Sequence, residues 1–283
     1  MLKNLDNIIS NHFLSLVCSL VYFLLGGTLL AILLGNQIGF LIAFIIYILS
    51  VLLAISTPAE KLFRFLHNIR SIETNEERDY LIPIFEDVLS AIPQDEPFNK
   101  EKIEICIIDK MDINACAIGN TTIAVTKGAM KAFDEEQLKG VIAHEIAHIR
   151  NFDTIANMFM FIASGYFYLF TLLLQFLISL TERPTSDKKE ESARYFLGSF
   201  IRIFLYAFSF FVQIVLAIES RKKEYRADET AYDWGFGEEL ISALYLLEKI
   251  SLGDYSNLKQ KITASHPRTT TRIGRLESMV YYE

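Results

Sequence analysis

Apolar residues along this chain are concentrated in four long blocks that carry almost no charge. The blocks span residues 13–34, 38–55, 154–180 and 196–218, and only the last contains a charged side chain, Arg202. About 20 apolar residues suffice for a helix to cross the hydrocarbon core of a bilayer. The pattern therefore predicts four transmembrane helices in two hairpins, with both chain ends on the same side of the membrane.

Between and after these blocks, the spacing of apolar residues predicts a soluble part with both helices and strands. Thr74 and Glu77 match a capping box at the start of one helix, and Asp134 and Gln137 match one at the start of another. The alternating isoleucines of 103–107 and the segment 121–125 are typical of β-strands. Segments with helical spacing are 74–89, 134–150, 219–233, 237–251 and 267–280, preceded by a basic interfacial helix over 57–73.

The order of these segments predicts a chain of four parts. Residues 1–56 form a first pair of spans, and residues 154–218 form a second hairpin. The hairpin is inserted into one α+β domain, whose two segments are 57–153 and 219–283. We do not expect either segment to fold alone.

Composition narrows the class of protein. The chain of 283 residues is 52% hydrophobic with a mean hydropathy of +0.29, which is too apolar for an ordinary soluble domain. The net charge of −7 and the lack of a basic, aromatic tract argue against nucleic-acid binding. Cys18, Cys106 and Cys116 are odd in number and one lies in a predicted span, so a disulfide framework is not expected.

The segment 134–150 contains the most informative motif, His144-Glu145-Ile146-Ala147-His148, which has the pattern H-E-x-x-H. Residues four apart lie on one helix face, so both imidazoles are able to bind one Zn²⁺ ion. The glutamate then reaches the attacking water as a general base for peptide hydrolysis. A surface helix with two solvated histidines is the alternative, but an apolar stripe behind the histidines disfavours it. The motif predicts a peptidase with one zinc per subunit.

Two carboxylates after the fourth block are candidates for a third zinc ligand. Glu224 and Asp228 are four residues apart and therefore share one helix face. One is able to bind zinc while the other accepts a hydrogen bond from a zinc-bound imidazole. A charged helix face in water explains the same spacing, so the spacing alone leaves the choice open.

Taken as a set, these motifs resemble the HtpX-type membrane zinc metalloproteases, which are relatives of the CAAX prenyl endopeptidases. The resemblance is carried by H-E-I-A-H with Asp153 after it, the inserted apolar hairpin, E-S-R-K-K-E-Y-R-A-D, and S-H-P-R. It extends over nearly the whole chain, including the first pair of spans and Asn114-Ala115. It implies four transmembrane helices combined with a zincin-like α+β metalloprotease domain.

The resemblance also implies a role for each matching residue near the zinc. His144, His148 and Glu224 are then the metal ligands, and Glu145 is the general base. Asp228 is then the hydrogen-bonding partner of a zinc-bound histidine. A non-catalytic sensor on the same fold is disfavoured, because such proteins usually lose the base or a ligand.

Substrate-binding residues are less sharply defined. The resemblance implies that Asn114 and the strand after it help hold the peptide, and Ala124 in the segment 121–125 is a further candidate. The family usually has an aromatic residue where this chain has Cys116, which puts the shape of the pocket in doubt. His266 is either a donor to the oxyanion of the tetrahedral intermediate or a structural helix cap.

Flanking charges predict which side of the membrane carries the site. Nine basic residues lie on the side of the chain ends and four on the opposite side, which places the termini and H-E-x-x-H in the cytosol, in a multi-pass protein of the cell membrane. The nine are Lys3, Lys61, Arg64, Arg70, Arg150, Arg221, Lys222, Lys223 and Arg226; the four are Arg183, Lys188, Lys189 and Arg194.

The spacing of the ligands from the spans predicts a site at the membrane surface. His148 and Glu224 each lie six residues from a predicted span, or within roughly 9 Å of the membrane boundary at 1.5 Å per residue. If 121–125 is an edge strand beside the zinc, a peptide is able to add to it with little sequence preference. We therefore expect an endopeptidase for membrane-associated, misfolded proteins. A processing protease for one peptide or lipidated substrate is the alternative.

Overall fold

The computed structural model describes residues 10–54, 56–96, 98–182, 187–251 and 268–282. Within these ranges the helices are numbered α1–α10 and the strands β1–β4. In chain order they are α1 (Phe13–Leu34), α2 (Ile38–Ala54), α3 (Thr57–Leu66), β1 (Ile69–Arg70), α4 (Asn75–Ala91), β2 (Glu104–Ile108), β3 (Ala115–Ile118), β4 (Thr122–Thr126), α5 (Lys127–Ala132), α6 (Glu135–Arg150), α7 (Asp153–Thr181), α8 (Lys188–Asp233), α9 (Gly237–Ser251) and α10 (Thr269–Tyr282).

The four predicted spans correspond to α1, α2, α7 and α8. By length and composition α1, α7 and α8 are able to cross a membrane, and α2 becomes a fourth candidate when it is joined to α3, which is bent from it by 72°. The prediction of four spans is consistent with this arrangement.

Arg202, the one charged residue in the fourth apolar block, has an ionic partner. At the end of the second hairpin that lies away from H-E-x-x-H, both terminal nitrogens of Arg202 donate to the Glu182 carboxylate, at 2.7 and 2.8 Å.

The helix α8 is longer than the sequence pattern predicts. A span that ends at 218 and a separate helix over 219–233 were expected, but α8 runs without interruption for 46 residues, from Lys188 to Asp233. Its only glycine, Gly198, lies near its start, and it contains no proline, so nothing in the backbone ends the helix at the membrane boundary. The fourth span and Glu224 therefore belong to one rigid element.

The sheet has the strand order β1-β2-β4-β3. β2 and β4 are parallel, whereas β3 is antiparallel to β4 with Cys116 opposite Ala124. The two predicted strands are confirmed as β2 and β4. The condition that 121–125 is an edge strand is not met, because β4 is paired on both sides. The edge strand next to β4 is β3, which is only four residues long and has no alternation of polar and apolar residues to indicate it.

One hydrophobic core lies between the sheet and the helices of the soluble part. Leu138, Ile142 and Ile146 place one face of α6 in it, and all three are fully buried. Ala227 from α8 and Leu276 from α10 belong to the same core. Residues before and after the second hairpin therefore share one interior, and α6 is held rigidly with its opposite face free for the H-E-x-x-H side chains.

Close packing between α6 and α9 depends on a glycine. A Cβ atom on Gly140 would lie 2.4 Å from the backbone nitrogen of Leu240, a distance that side chains do not tolerate. Gly140 is one turn before His144, so this contact fixes the position of α9 relative to the metal-binding motif.

Candidate metal centre

The motif helix α6 begins with the capping box that the sequence predicts. The Asp134 carboxylate accepts a hydrogen bond from the backbone nitrogen of Gln137 at 2.8 Å, and the Gln137 side-chain oxygen accepts one from the backbone nitrogen of Asp134. Two of the four unpaired N–H groups at the helix start are thereby satisfied. The helix is fixed at its first turn and delivers His144 and His148 to the same face.

Three predicted ligands come together at this face. Donor atoms of His144, His148 and Glu224 all lie within 4.8 Å of one another. The Nε2 atoms of His144 and His148 lie 3.5 and 3.7 Å from the two carboxylate oxygens of Glu224. Ligands about 2.1 Å from a tetrahedral ion would be separated by roughly 3.4 Å, so the three side chains need to move little to bind zinc.

Each histidine has its own carboxylate partner on the other ring nitrogen. The Nδ1 atom of His144 lies 3.0 Å from Oδ1 of Asp228, and Nδ1 of His148 lies 2.8 Å from Oδ2 of Asp153. A carboxylate on Nδ1 holds the proton there and leaves Nε2 with its lone pair directed toward a metal. The pairing of Asp228 with a histidine is as predicted, whereas no role was predicted for Asp153.

A tight backbone turn brings Asp153 to His148. The motif helix ends at Arg150, and Phe152 adopts a left-handed conformation with φ of 61°, which is uncommon for a residue other than glycine. The next residue, Asp153, begins α7 and is almost fully buried. The turn thus places the Asp153 carboxylate, at the start of α7, against His148, a predicted metal ligand.

Arg272 on α10 balances the negative charge of the site. Its guanidinium donates to both oxygens of Asp228, at 2.6 and 2.9 Å, and Nη1 lies 3.1 Å from the Glu224 carboxylate. Burial lowers the pKa of Arg272, but its attraction to Asp228 and its hydrogen bond there outweigh the burial, so the pKa is raised. The guanidinium remains charged beside three carboxylates, those of Asp228, Glu224 and Glu145.

The electrostatics of the site favour a cation. Burial and the charge of Arg272 lower the pKa of His144, but hydrogen bonds to Asp228 and Glu224 outweigh them and raise it to about 9. Two imidazoles and one carboxylate, each oriented by a further group, form a donor set that suits zinc.

A cleft of about 500 Å³ opens onto this cluster. Glu145 lines it and is partly exposed, so its carboxylate is accessible to water. Leu240, Leu244 and Leu247 of α9 supply part of its apolar lining. The space is large enough for a few residues of an extended peptide.

The edge strand β3 also lines the cleft, through Ala115, Cys116 and Ala117, as does Asn114 directly before it. Asn114 is exposed there, whereas Ala124 is fully buried in the central strand β4 and lies away from the lining. Ala124 is therefore not placed to bind a peptide. Burial, followed by the charge of Glu145, raises the pKa of Cys116 to about 12, so its thiol is neutral in the wall of the cleft.

The base of the first span lies beside the same site. The Glu219 carboxylate on α8 accepts hydrogen bonds from the backbone nitrogen and the hydroxyl of Ser15, at 2.7 and 2.5 Å. Nε2 of His12 lies 3.1 Å from the carbonyl oxygen of Asn151, just after the motif helix. The start of α1 is thereby attached to both polypeptide segments that carry predicted ligands.

The sequence predicted no role for two residues that lie near the ligands, Asp153 and Arg272. Asp153 comes three residues after the end of the motif helix. A carboxylate five residues after His148 could have indicated a partner for that histidine. Arg272 lies 44 residues after Asp228, and no local spacing connects them. His266 is outside the described residues, and its role stays a prediction.

The fold and the cluster together define a membrane-associated protein with a candidate metal centre on an H-E-x-x-H helix. The family model "Peptidase family M48" matches residues 76–280, which is most of the chain. The chain therefore belongs to Peptidase family M48.

Curated relatives agree with this assignment, and one solved structure has a similar fold. The chain is 27% identical to "Protease HtpX homolog" of Neisseria meningitidis over 199 residues, covering 66% of this chain and 70% of the relative. It is 28% identical to "Protease HtpX" of Pasteurella multocida over 205 residues, covering 66% and 69%. The crystal structure of S. mikatae Ste24p has a similar fold, with a TM-score of 0.53 and 19% identity. That match covers 84% of this chain but only 57% of the Ste24p chain.

Proposed function

We propose that the protein is a zinc-dependent endopeptidase that cleaves membrane-associated polypeptides at the cytosolic membrane surface. The observation that supports this most strongly is the arrangement of His144, His148 and Glu224. Both Nε2 atoms lie within 4 Å of the Glu224 carboxylate, while both Nδ1 atoms are held by aspartates. Those three residues would hold one zinc ion per subunit, which supplies a Lewis acid that polarises the scissile carbonyl and lowers the pKa of water.

The chain's own residues would carry the proton transfers. Glu145 accepts the proton of the water that attacks the peptide carbonyl and later delivers it to the leaving amine. Asp228 and Asp153 hold the histidine rings in one tautomer and orientation through their Nδ1 atoms. Arg272 keeps Asp228 and Glu224 in place and compensates their charge within a buried site.

The edge strand β3 would bind the substrate main chain. In an antiparallel pair, alternate residues direct their backbone groups away from the partner strand. Asn114 is hydrogen-bonded to Thr126 through its carbonyl, so alternation leaves Ala115 and Ala117 with outward N–H and C=O groups. A peptide added there would be held through its backbone, which suits an enzyme with broad specificity. Asn114 lines the cleft beside this edge.

Misfolded membrane proteins are the substrates that this arrangement suits best, in a role in protein quality control. The motif helix leads into α7 through only two residues, and Glu224 lies on α8 beyond its apolar block, so the site is close to two candidate spans. We further propose that the soluble part forms from the two segments 57–153 and 219–283, with the termini in the cytosol.

The test compares purified wild type in detergent with Glu145→Gln and Glu224→Gln. We expect Glu145→Gln to keep stoichiometric zinc but to lose cleavage of an unfolded membrane protein by at least about a hundredfold, because only the base is removed. Glu224→Gln should lose both zinc and cleavage. Glu136→Gln is the matched control, since Glu136 is exposed on the same helix and pairs with Lys139.

Two outcomes would contradict these assignments. Full zinc retention in Glu224→Gln would exclude Glu224 as a ligand and point to Asp228. Wild type that binds one zinc ion yet cleaves no unfolded membrane protein would contradict the proposed substrate class and favour a dedicated processing enzyme.

A further inference from the structure

A second cavity, of about 450 Å³, lies between α7 and α8. Asn157, Ser220 and Lys223 line both this cavity and the catalytic cleft, so the two spaces share a border. The second cavity then continues along the two helices to Ser164 on α7 and Gln213 on α8. We refer to this second cavity as the α7–α8 groove.

The groove extends into the part of the molecule that is predicted to lie in the bilayer. Ser164 is eleven residues after Asp153, and Gln213 is eleven residues before Glu224. At 1.5 Å per residue, each lies about 16 Å along its helix from the metal-binding site. That distance is roughly half of the 30 Å thickness of a typical hydrocarbon core.

Polar groups line the groove although apolar sequence surrounds them. A polar side chain in hydrocarbon needs a hydrogen-bonding partner, because water is absent there. Lys223 has partners, since its Nζ atom lies 3.0 Å from Oδ1 of Asn157 and 3.1 Å from the Glu219 carboxylate. Ser164 is hydrogen-bonded to Tyr22.

Gln213 differs from these residues. Its side chain is exposed, and within the described parts of the chain its amide makes no hydrogen bond. Phe211 and Ile214 beside it in sequence belong to the same apolar block, so Gln213 is an isolated amide. An amide both donates and accepts, which matches the paired N–H and C=O groups of a polypeptide backbone.

We propose that the α7–α8 groove receives an apolar polypeptide segment directly from the bilayer and leads it to the catalytic cleft. Gln213 binds the main chain of the segment where its helix unwinds, and Phe161 and Leu216 contact its apolar side chains. A lipid tail is a poorer occupant, because it offers nothing to hydrogen-bond with Gln213. This inference rests on the proposed endopeptidase function and names the route by which its substrate arrives.

The first experiment measures how well the enzyme distinguishes two substrates. It compares kcat/KM for a membrane-embedded substrate in liposomes with kcat/KM for a soluble, unstructured polypeptide. In Gln213→Leu we expect the ratio of the two values to fall about tenfold, since one main-chain hydrogen bond in a low-dielectric environment is lost. Gln175→Leu is the matched control, because Gln175 is an exposed glutamine on α7 outside the groove, and its ratio should not change.

The second experiment needs no catalysis and therefore tests the groove separately from the proposed function. A photo-crosslinking amino acid replaces Gln213 or, as control, the lipid-exposed Tyr206, in a Glu145→Gln background. We expect crosslinks to the membrane substrate from position 213 only. Crosslinks to lipid alone at 213, or an unchanged ratio in Gln213→Leu, would overturn the groove proposal. If the wild type cleaves neither substrate but the variant with the crosslinker at 213 crosslinks to the membrane substrate, the peptidase function would be contradicted and the route supported.

Discussion

The Nδ1 atom of His148 lies 2.8 Å from Oδ2 of Asp153, and the two residues belong to different helices. His148 is in the last turn of α6, whereas Asp153 is the first residue of α7. The other oxygen of Asp153 accepts a hydrogen bond from Arg226 on α8 at 2.9 Å. A single buried carboxylate thus connects a proposed zinc ligand to the bases of two candidate spans.

Asp153→Asn should weaken zinc binding by about ten- to a hundredfold, the usual effect of losing the carboxylate partner of a ligand histidine. The amide keeps the shape of the side chain but no longer stabilises positive charge on the imidazole. Zinc affinity measured by competition with a chelator tests this. Asp87→Asn, at an exposed carboxylate paired with Lys139, should bind zinc like wild type. Equal affinity in Asp153→Asn and wild type would show that the contact does not orient His148.

Arg272→Met should destabilise the metal-free protein by about 3–5 kcal/mol, because Asp228 and Glu224 would remain buried without their partner. Bound zinc should reduce this loss, since the ion supplies positive charge at the same place. Thermal unfolding with and without zinc measures both effects. Arg275→Met on the same helix is the control, because Arg275 is exposed and pairs with Glu229. A loss of stability that zinc does not reduce would contradict a role in charge balance.

Gly140→Ala should lower the stability of the catalytic domain by roughly 1–3 kcal/mol, the usual range for overpacking. The added Cβ atom would meet the backbone of Leu240 and push α9 away from α6. Gly274→Ala is a matched helical control, because nothing lies within 4 Å of its Cβ position. It should be neutral or raise stability by up to about 1 kcal/mol. Denaturant unfolding of both variants measures these changes in stability. Equal unfolding midpoints for the two variants would argue against a close approach of α9 at Gly140.

The cap of α4 should make stability depend on pH. A hydrogen bond from Arg70 lowers the pKa of Glu77 to about 2, from an ordinary value of 4.5. Because the folded state prefers the ionised carboxylate, its contribution is complete above about pH 4.5 and is lost as the pH falls toward 2.

Glu77→Gln should therefore be less stable than wild type at neutral pH, by roughly 1 kcal/mol for a solvent-screened pair. The difference should shrink as the pH approaches 2. Unfolding curves at several pH values measure it, with Glu76→Gln, an exposed neighbour in the same turn, as control. A difference that stays constant with pH would mean that the Arg70 contact contributes little.

Sequence patterns predicted most of the helices and the metal-binding motif, because these features depend on interactions between residues close in sequence. The capping box of Asp134 and Gln137 and the H-E-x-x-H spacing depend only on neighbours in sequence. The position of β4 between β2 and β3 depends on pairing over longer distances, and no residue in 121–125 marks a strand as central or edge. The pairing of Arg272 with Asp228 is likewise created by the fold, which brings α10 against α8.

The length of α8 also links the bilayer to the proposed metal site. A helix of 46 residues measures about 69 Å, more than twice the thickness of a hydrocarbon core. Glu224 has a fixed position on this rigid helix, whereas His144 and His148 lie on α6. We therefore expect that a thinner or thicker bilayer that changes the tilt of α8 would move Glu224 relative to His144 and His148, so that lipid composition would affect zinc binding at the proposed site.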